Sequence, residues 1–386
     1  MRTLWQSIKY GYATICSRRI YLFAMILVPL LCGMFFVSLL NQGLPTRVPT
    51  AIVDLDDSPM SRAMTRNLDA QQLVKITESC ESYDKALSAV RAGRVFGFYV
   101  IPANFQADAL AGRKPTVNYY SNLTYFVPGT FSYKGYKTIA VHAAAGLVSE
   151  QAQSMGVPEG MVEALVQPMT IDVNPVHNPW TNYSLYLTPS FVAAILELMI
   201  VLVTIMSITY QIKQGTSRLW LARSKGSIVI AVTGMLLPQT VIFTLVGWCL
   251  QALMFGYSHF PMACSPWVMA LAMPLFVIAS QAFGLFWACI FPSPRFSMSM
   301  GALFSILAFS FTGFSFPVQN MYGAISIFSY IMPVRYYFLI HIQQALNGTG
   351  IYYSRMAFVA LIVMAFVPAL LMWRLKRAAL KPVYVP

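Results

Sequence analysis

Apolar residues gather into long runs joined by short polar links, with one long polar interruption near the start. The first run, residues 20–40, is long enough to cross about 30 Å of hydrocarbon as a helix. Five more runs follow the interruption, at about 185–210, 227–255, 267–291, the short 297–314, and 356–373. The pattern predicts an α-helical integral membrane protein with six transmembrane helices. Residues 20–41 form the first, and 185–374 contain the other five.

Ahead of the first run, Leu4, Trp5, Ile8, Tyr12 and Ile15 recur at helical spacing, with Arg2, Gln6 and Lys9 elsewhere. Residues 1–19 are therefore expected as an amphipathic helix lying in the membrane interface. Between Phe314 and Arg355 the chain stays apolar but is broken by Pro317, Gly323, Pro333 and Asn347-Gly348. These pieces are too short to cross, and irregular backbone survives at membrane depth only inside protein or beside water. Residues 315–353 are expected as a re-entrant region of two short helices dipping in from the outer side, the second at about 334–346.

The interruption, residues 42–184, reads differently. Strand-like runs at 50–54, 73–77, 95–101 and 117–120 alternate with helical stretches at 58–70, 83–92 and 104–111. A long helix at 131–155 closes the series. The alternation predicts an inserted α/β domain.

Composition sharpens this division. The chain is 57% hydrophobic and only 10% charged, against about 25% charged for soluble domains. Residues 42–185 hold eleven Lys and Arg against twelve Asp and Glu, a net of −1. The rest holds fifteen basic residues and one acidic residue, a net of +14. The basic excess sits in short loops beside apolar runs, which argues for membrane orientation and against nucleic acid. Arg2, Lys9, Arg18 and Arg19 place the N-terminus in the cytoplasm, ahead of an uncleaved anchor. Lys213, Arg218, Arg223 and Lys225 mark a cytoplasmic loop, as does Arg295. Arg374, Lys376, Arg377 and Lys381 mark a cytoplasmic tail, residues 375–386. The inserted domain is then extracytoplasmic. Arg335 and Arg355 are exceptions that fall on the outer side.

Chemistry is sparse. No Gly-Lys dipeptide exists, so no phosphate-cradling loop is present, and the chain is read as no enzyme and as binding no cofactor itself. The four histidines are scattered, without metal-ligand spacing. Asp54, Asp56 and Asp57 read as a strand-to-helix turn whose carboxylates cap the helix near Ser58. The six cysteines form no CxxC pair. Cys80 and Cys264 would share the oxidising side, and no bridge between them is expected.

Glu197 is the one acidic residue outside the inserted domain, near the middle of the second span. A charge at that depth costs about 2.5–3.5 kcal/mol on insertion scales. Two readings stand: a pathway or dimer-interface residue paired with Arg335 or Arg295, or a protonated carboxyl hydrogen-bonded inside the bundle.

Four stretches carry a family likeness: Ile52-Val-Asp-Leu-Asp-Asp-Ser-Pro-Met-Ser-Arg62; Phe96-Gly-Phe-Tyr-Val-Ile-Pro-Ala-Asn-Phe105; Gln211-Ile-Lys-Gln-Gly-Thr-Ser-Arg-Leu-Trp-Leu221; and Gly313-Phe-Ser-Phe-Pro317 with Ile331-Met-Pro-Val-Arg335. In this order and topology the chain resembles the type-two ABC exporter permeases with a large first periplasmic domain. The resemblance implies a bacterial inner-membrane subunit with both termini cytoplasmic. It would pair with a second copy or a paralogous permease and with ATP-binding cassette subunits that hold ATP and Mg. It would export a hydrophobic or amphipathic substrate such as a drug or lipid, in some systems through a periplasmic membrane-fusion adaptor. Residues 211–226 would be the ATPase coupling loop, with Lys213, Gly215, Thr216, Arg218, Trp220 and Leu221 at the contact. Gly313, Pro317 and Pro333 would shape the re-entrant motif. Gln211 and Gln214 stand where the family carries acidic residues, so the loop is purely basic and suits an acidic groove on the ATPase. The alternative is a signalling or mechanotransmission scaffold that carries no substrate. A membrane enzyme would need a catalytic cluster, and none is found.

Overall fold

The computed structural model describes residues 2–41, 43–113, 115–154, 156, 177–178, 182–314 and 316–381. Residues 382–386 of the expected tail and Met155 of the expected long helix lie outside the described residues. The chain divides into two compact units: Met1–Gly43 with Val176–Pro386, and Leu44–Pro175.

The first unit opens with α1 (Arg2–Cys16) and α2 (Arg19–Leu39). On α1 the buried residues are Ser7, Gly11 and Ile15, while Leu4, Trp5 and Tyr12 are exposed. Of the expected apolar stripe, Leu4, Trp5 and Tyr12 face outward, whereas Ile15 turns inward in line with Ser7 and Gly11, two small residues that the pattern did not single out.

The Leu44–Pro175 unit contains β1 (Val48–Asp54), α3 (Pro59–Ala70), β2 (Val74–Ser79), α4 (Tyr83–Arg91), β3 (Gly97–Ile101), α5 (Phe105–Leu110), β4 (Asn118–Ser121) and α6 (Phe126–Ser154). The sheet order is β2-β1-β3-β4, with β1 parallel to both neighbours and β4 antiparallel to β3. Alternate side chains leave opposite faces. Ile52, Tyr99 and Ile101 pack with Leu68 and Phe105 on one face. Ala51, Val53 and Phe98 pack with Ala86 and Ala89 on the other.

The aspartates at the end of β1 divide their roles. Asp54 Oδ1 accepts the N–H groups of Asp56 and Asp57, each at 3.1 Å. The α3 cap is Ser58, whose hydroxyl accepts the Ser61 N–H at 3.1 Å while Ser61 returns the favour. Asp56 reaches instead to α5, accepting the Gln106 N–H at 3.1 Å. The expected carboxylate cap of the Ser58 helix is thus corrected to a serine cap, with a carboxylate serving α5.

The first unit resumes with α7 (Ser184–Lys213), α8 (Ser217–Arg223), α9 (Ile228–Tyr257), α10 (Pro266–Ile290), α11 (Pro294–Phe311), α12 (Gly323–Tyr330), α13 (Pro333–Leu346) and α14 (Ile351–Leu380). Buried α7 is the centre of the bundle. Gly284 of α10 lies so close that a Cβ there would stand 2.9 Å from the Val201 carbonyl oxygen. Gly301 of α11 faces the Val201 and Ile205 side chains in the same way.

By length and composition, α2, α7, α9, α10 and α14 can each cross a membrane. The bent pair α12–α13 makes a sixth if counted as one span. The expected span at 297–314 overlaps α11, whose 18 residues measure about 27 Å, near the lower limit for a crossing; it is not among the five helices above. Arg295, Ser297, Ser299 and Ser305 lower its apolarity. The six cysteines are free thiols.

Candidate functional site

Two constructions in the membrane unit gather the polar residues. The first is α8 and its flanks. Gly215 (φ +70°) and Gly226 (φ +77°) supply the left-handed turns that bracket this short helix. Trp220 and Leu221 are buried, 1% and 2% exposed, among Ile208, Ile212, Leu285 and Leu375. They anchor α8 and do not present a docking face.

Side chains then tie α8 to three other helices. Ser217 Oγ donates to the Ala379 carbonyl at 2.8 Å, and Arg218 Nε to that of Leu380 at 3.1 Å, both at the end of α14. Ser224 Oγ meets Ser7 Oγ of α1 at 2.9 Å. Gln211 of α7 accepts the Tyr10 hydroxyl at 2.8 Å and the Thr216 hydroxyl at 2.7 Å on one oxygen. Gln211 is buried and structural, and its amide oxygen can accept both hydroxyls without bringing a charge inside. Outward stand Lys213, Gly215, Arg218, Leu219, Arg223 and Lys225, all exposed. Leu219, 65% exposed, was not singled out by sequence. Its signal was its place between Arg218 and the inward Trp220.

The second construction is an elbow between α12 and α13, which bend 77° across a short break. Glu197 of α7 is fully buried, and its Oε2 accepts the Val334 N–H at 3.1 Å, in the first turn of α13. Among the described residues its Oε1 has no partner. That first turn carries backbone donors with no intrahelical acceptor and a partial positive charge, so a carboxylate is well placed there. Arg335, 9% exposed, donates through a terminal nitrogen to the Thr312 carbonyl at 2.7 Å, with its guanidinium 5.1 Å from the Tyr330 ring. Ser329 Oγ donates to the neighbouring Phe311 carbonyl. The end of α11 is thus capped by two side chains from the elbow.

The considered Glu197–Arg335 ion pair does not form. Each side chain instead serves a backbone group at the end of a different helix. Gly313 (φ +97°) makes this possible, because a Cβ there would stand 2.9 Å from the Arg335 guanidinium. Pro333 opens α13, and Pro317 precedes a tight turn at Val318–Asn320. Under the elbow lies an apolar cavity of about 490 Å³, lined by Phe283, Phe286, Trp287, Phe304, Phe328 and Tyr336 among others. Among the described residues the Trp287 indole N–H has no partner. Among the described residues no group of three His, Cys, Asp or Glu could hold a metal ion.

The bundle thus joins a basic, tethered helix to a bent helix pair. The family model described as ABC-2 family transporter protein matches residues 19–374, and the chain belongs to that family. It is the membrane permease component of an ABC transporter, which works with a separate ATP-binding cassette subunit. No curated protein matches the chain.

Proposed function

We propose that this permease is the membrane half of an exporter driven by a partner ATPase, with α8 as the coupling helix. The carrying observation is the tethering of α8 to α1, α7 and α14 by side-chain hydrogen bonds. A push on α8 would reach three helices at once. The exposed contact set is Lys213, Gly215, Arg218, Leu219 and Arg223, which suits a groove with acidic walls and an apolar floor.

The basic loops orient α8 and both termini toward the cytoplasm of a bacterial cell. The unit at Leu44–Pro175 then lies outside, where an adaptor would dock. The apolar cavity under the elbow favours a hydrophobic or amphipathic substrate, a drug or lipid. Two permeases, identical or paralogous, would form the pathway.

The test is co-purification with the ATPase and measurement of its hydrolysis with and without the permease. Arg218→Glu with Leu219→Asp should abolish the permease-dependent change in hydrolysis while the chain stays folded. Unchanged hydrolysis in that variant would remove α8 from coupling.

A further inference from the structure

At the corner where α1 turns into α2, a pocket of about 280 Å³ opens against the end of α7. Arg18 stands at its edge with its guanidinium 3.9 Å from the centre of the Tyr210 ring. The guanidinium also hydrogen-bonds the Tyr210 hydroxyl, and its stacking on the ring leaves the remaining in-plane N–H groups available to donate. Tyr21, only 2% exposed, also lines the pocket. Gln214 adds an exposed amide.

The electrostatic setting is one-sided. Arg19 and Lys213 flank the pocket in sequence. Glu197, the one carboxylate side chain of residues 176–386, lies thirteen residues up α7 from Tyr210, about 20 Å along the axis. Beside Tyr21 on α2, Ile20 and Phe23 are 51% and 49% exposed, an apolar face that none of the described residues covers fully. A cationic donor, a tyrosine hydroxyl and an adjoining apolar stripe match the phosphate ester and chains of a phospholipid.

We infer that the pocket formed by Arg18, Tyr21, Tyr210 and Gln214 binds the phosphate of an anionic glycerophospholipid, whose acyl chains lie along the exposed face of α2. The lipid sits between α1 and the loop that leads into α8, so its occupancy braces the coupling helix. The choice of cytoplasmic leaflet rests on the orientation proposed above. Binding itself does not, and it is read separately from transport.

The experiment is native mass spectrometry of the full chain in detergent, titrated with phosphatidylglycerol or with phosphatidylcholine of the same chains. Phosphatidylglycerol should be retained preferentially, and Arg18→Gln should weaken that retention about tenfold, the scale of one charge-assisted contact. Tyr21→Phe, which keeps the shape of the core, should weaken it less, whereas Arg377→Gln on α14 should leave it unchanged. Equal retention of both lipids, or equal loss in the Arg377 variant, would overturn the site. Displacement of the lipid by millimolar glycerol phosphate would overturn the lipid assignment in favour of a soluble phosphate. A chain that binds phosphatidylglycerol but shows no ATPase coupling keeps this inference and loses the proposed function.

Discussion

Glu197 Oε2 and the backbone N–H of Val334 meet at 3.1 Å, so a side chain of α7 completes the first turn of α13. That donor would otherwise be an orphan in a water-poor interior. Glu197→Gln keeps an acceptor of the same shape, so it should change stability by no more than about 1 kcal/mol and preserve transport. Glu197→Leu removes the acceptor and should cost about 1–3 kcal/mol. Thermal unfolding in detergent with a transport assay checks both. Loss of transport in a stably folded Glu197→Gln chain would show that the charge itself is used.

Gly234 of α9 faces Ser7 of α1, and Gly11 faces Gly234 and Met235. A side chain at either position must push the helices apart. Ser7→Cys with Ser224→Cys should crosslink under mild oxidation, because the native hydroxyls lie 2.9 Å apart. Adding Gly234→Leu should suppress the crosslink. Peptide mapping of the bond between positions 7 and 224 reads the result.

Trp220 and Leu219 are neighbours with opposite fates. Trp220→Ala opens a cavity in a packed cluster and should cost about 3–5 kcal/mol of stability. Leu219→Ala removes an exposed side chain and should move stability by less than about 0.5 kcal/mol. It should nonetheless weaken ATPase coupling. Melting curves beside hydrolysis rates separate the two effects.

Acid should loosen the Leu44–Pro175 unit. Asp69 accepts the Ile76 N–H at 2.8 Å and pairs with Lys75 at 3.1 Å, and these contacts hold its carboxyl below the usual range. Asp56 is likewise held low, chiefly by Ser58 and also by the N–H groups at the start of α5. A carboxyl depressed on folding stabilises above its unfolded value, near 4, and that contribution fades as pH falls through the folded value. Near-UV circular dichroism of the stacked tyrosines should therefore weaken below about pH 4. Asp69→Asn should flatten part of that response.

The strands were legible because β-branched and aromatic runs such as Ala51-Ile-Val and Phe98-Tyr-Val end at clear breakers, Pro102 among them. The buried faces of Ser7 and Gly11 were not. Small residues carry almost no hydropathic signal, and their partner Gly234 lies more than two hundred positions away. Arg335 announced itself as a charge out of place, but its acceptor did not. The Thr312 carbonyl becomes available only because α11 stops there and Gly313 turns the chain back toward α13. Trp220 and Leu221 looked like contact residues because a short basic loop gives no sign of which way its helix is rolled.

The bonds from Ser217 and Arg218 to the last carbonyls of α14 make that helix end a part of α8's mounting. A fusion, tag or substitution that frays α14 around Ala379 would therefore be felt 162 residues away in the sequence, in the loop after α7. Handles for purification belong elsewhere, and a defect introduced at the tail should be read first as a defect of transmission.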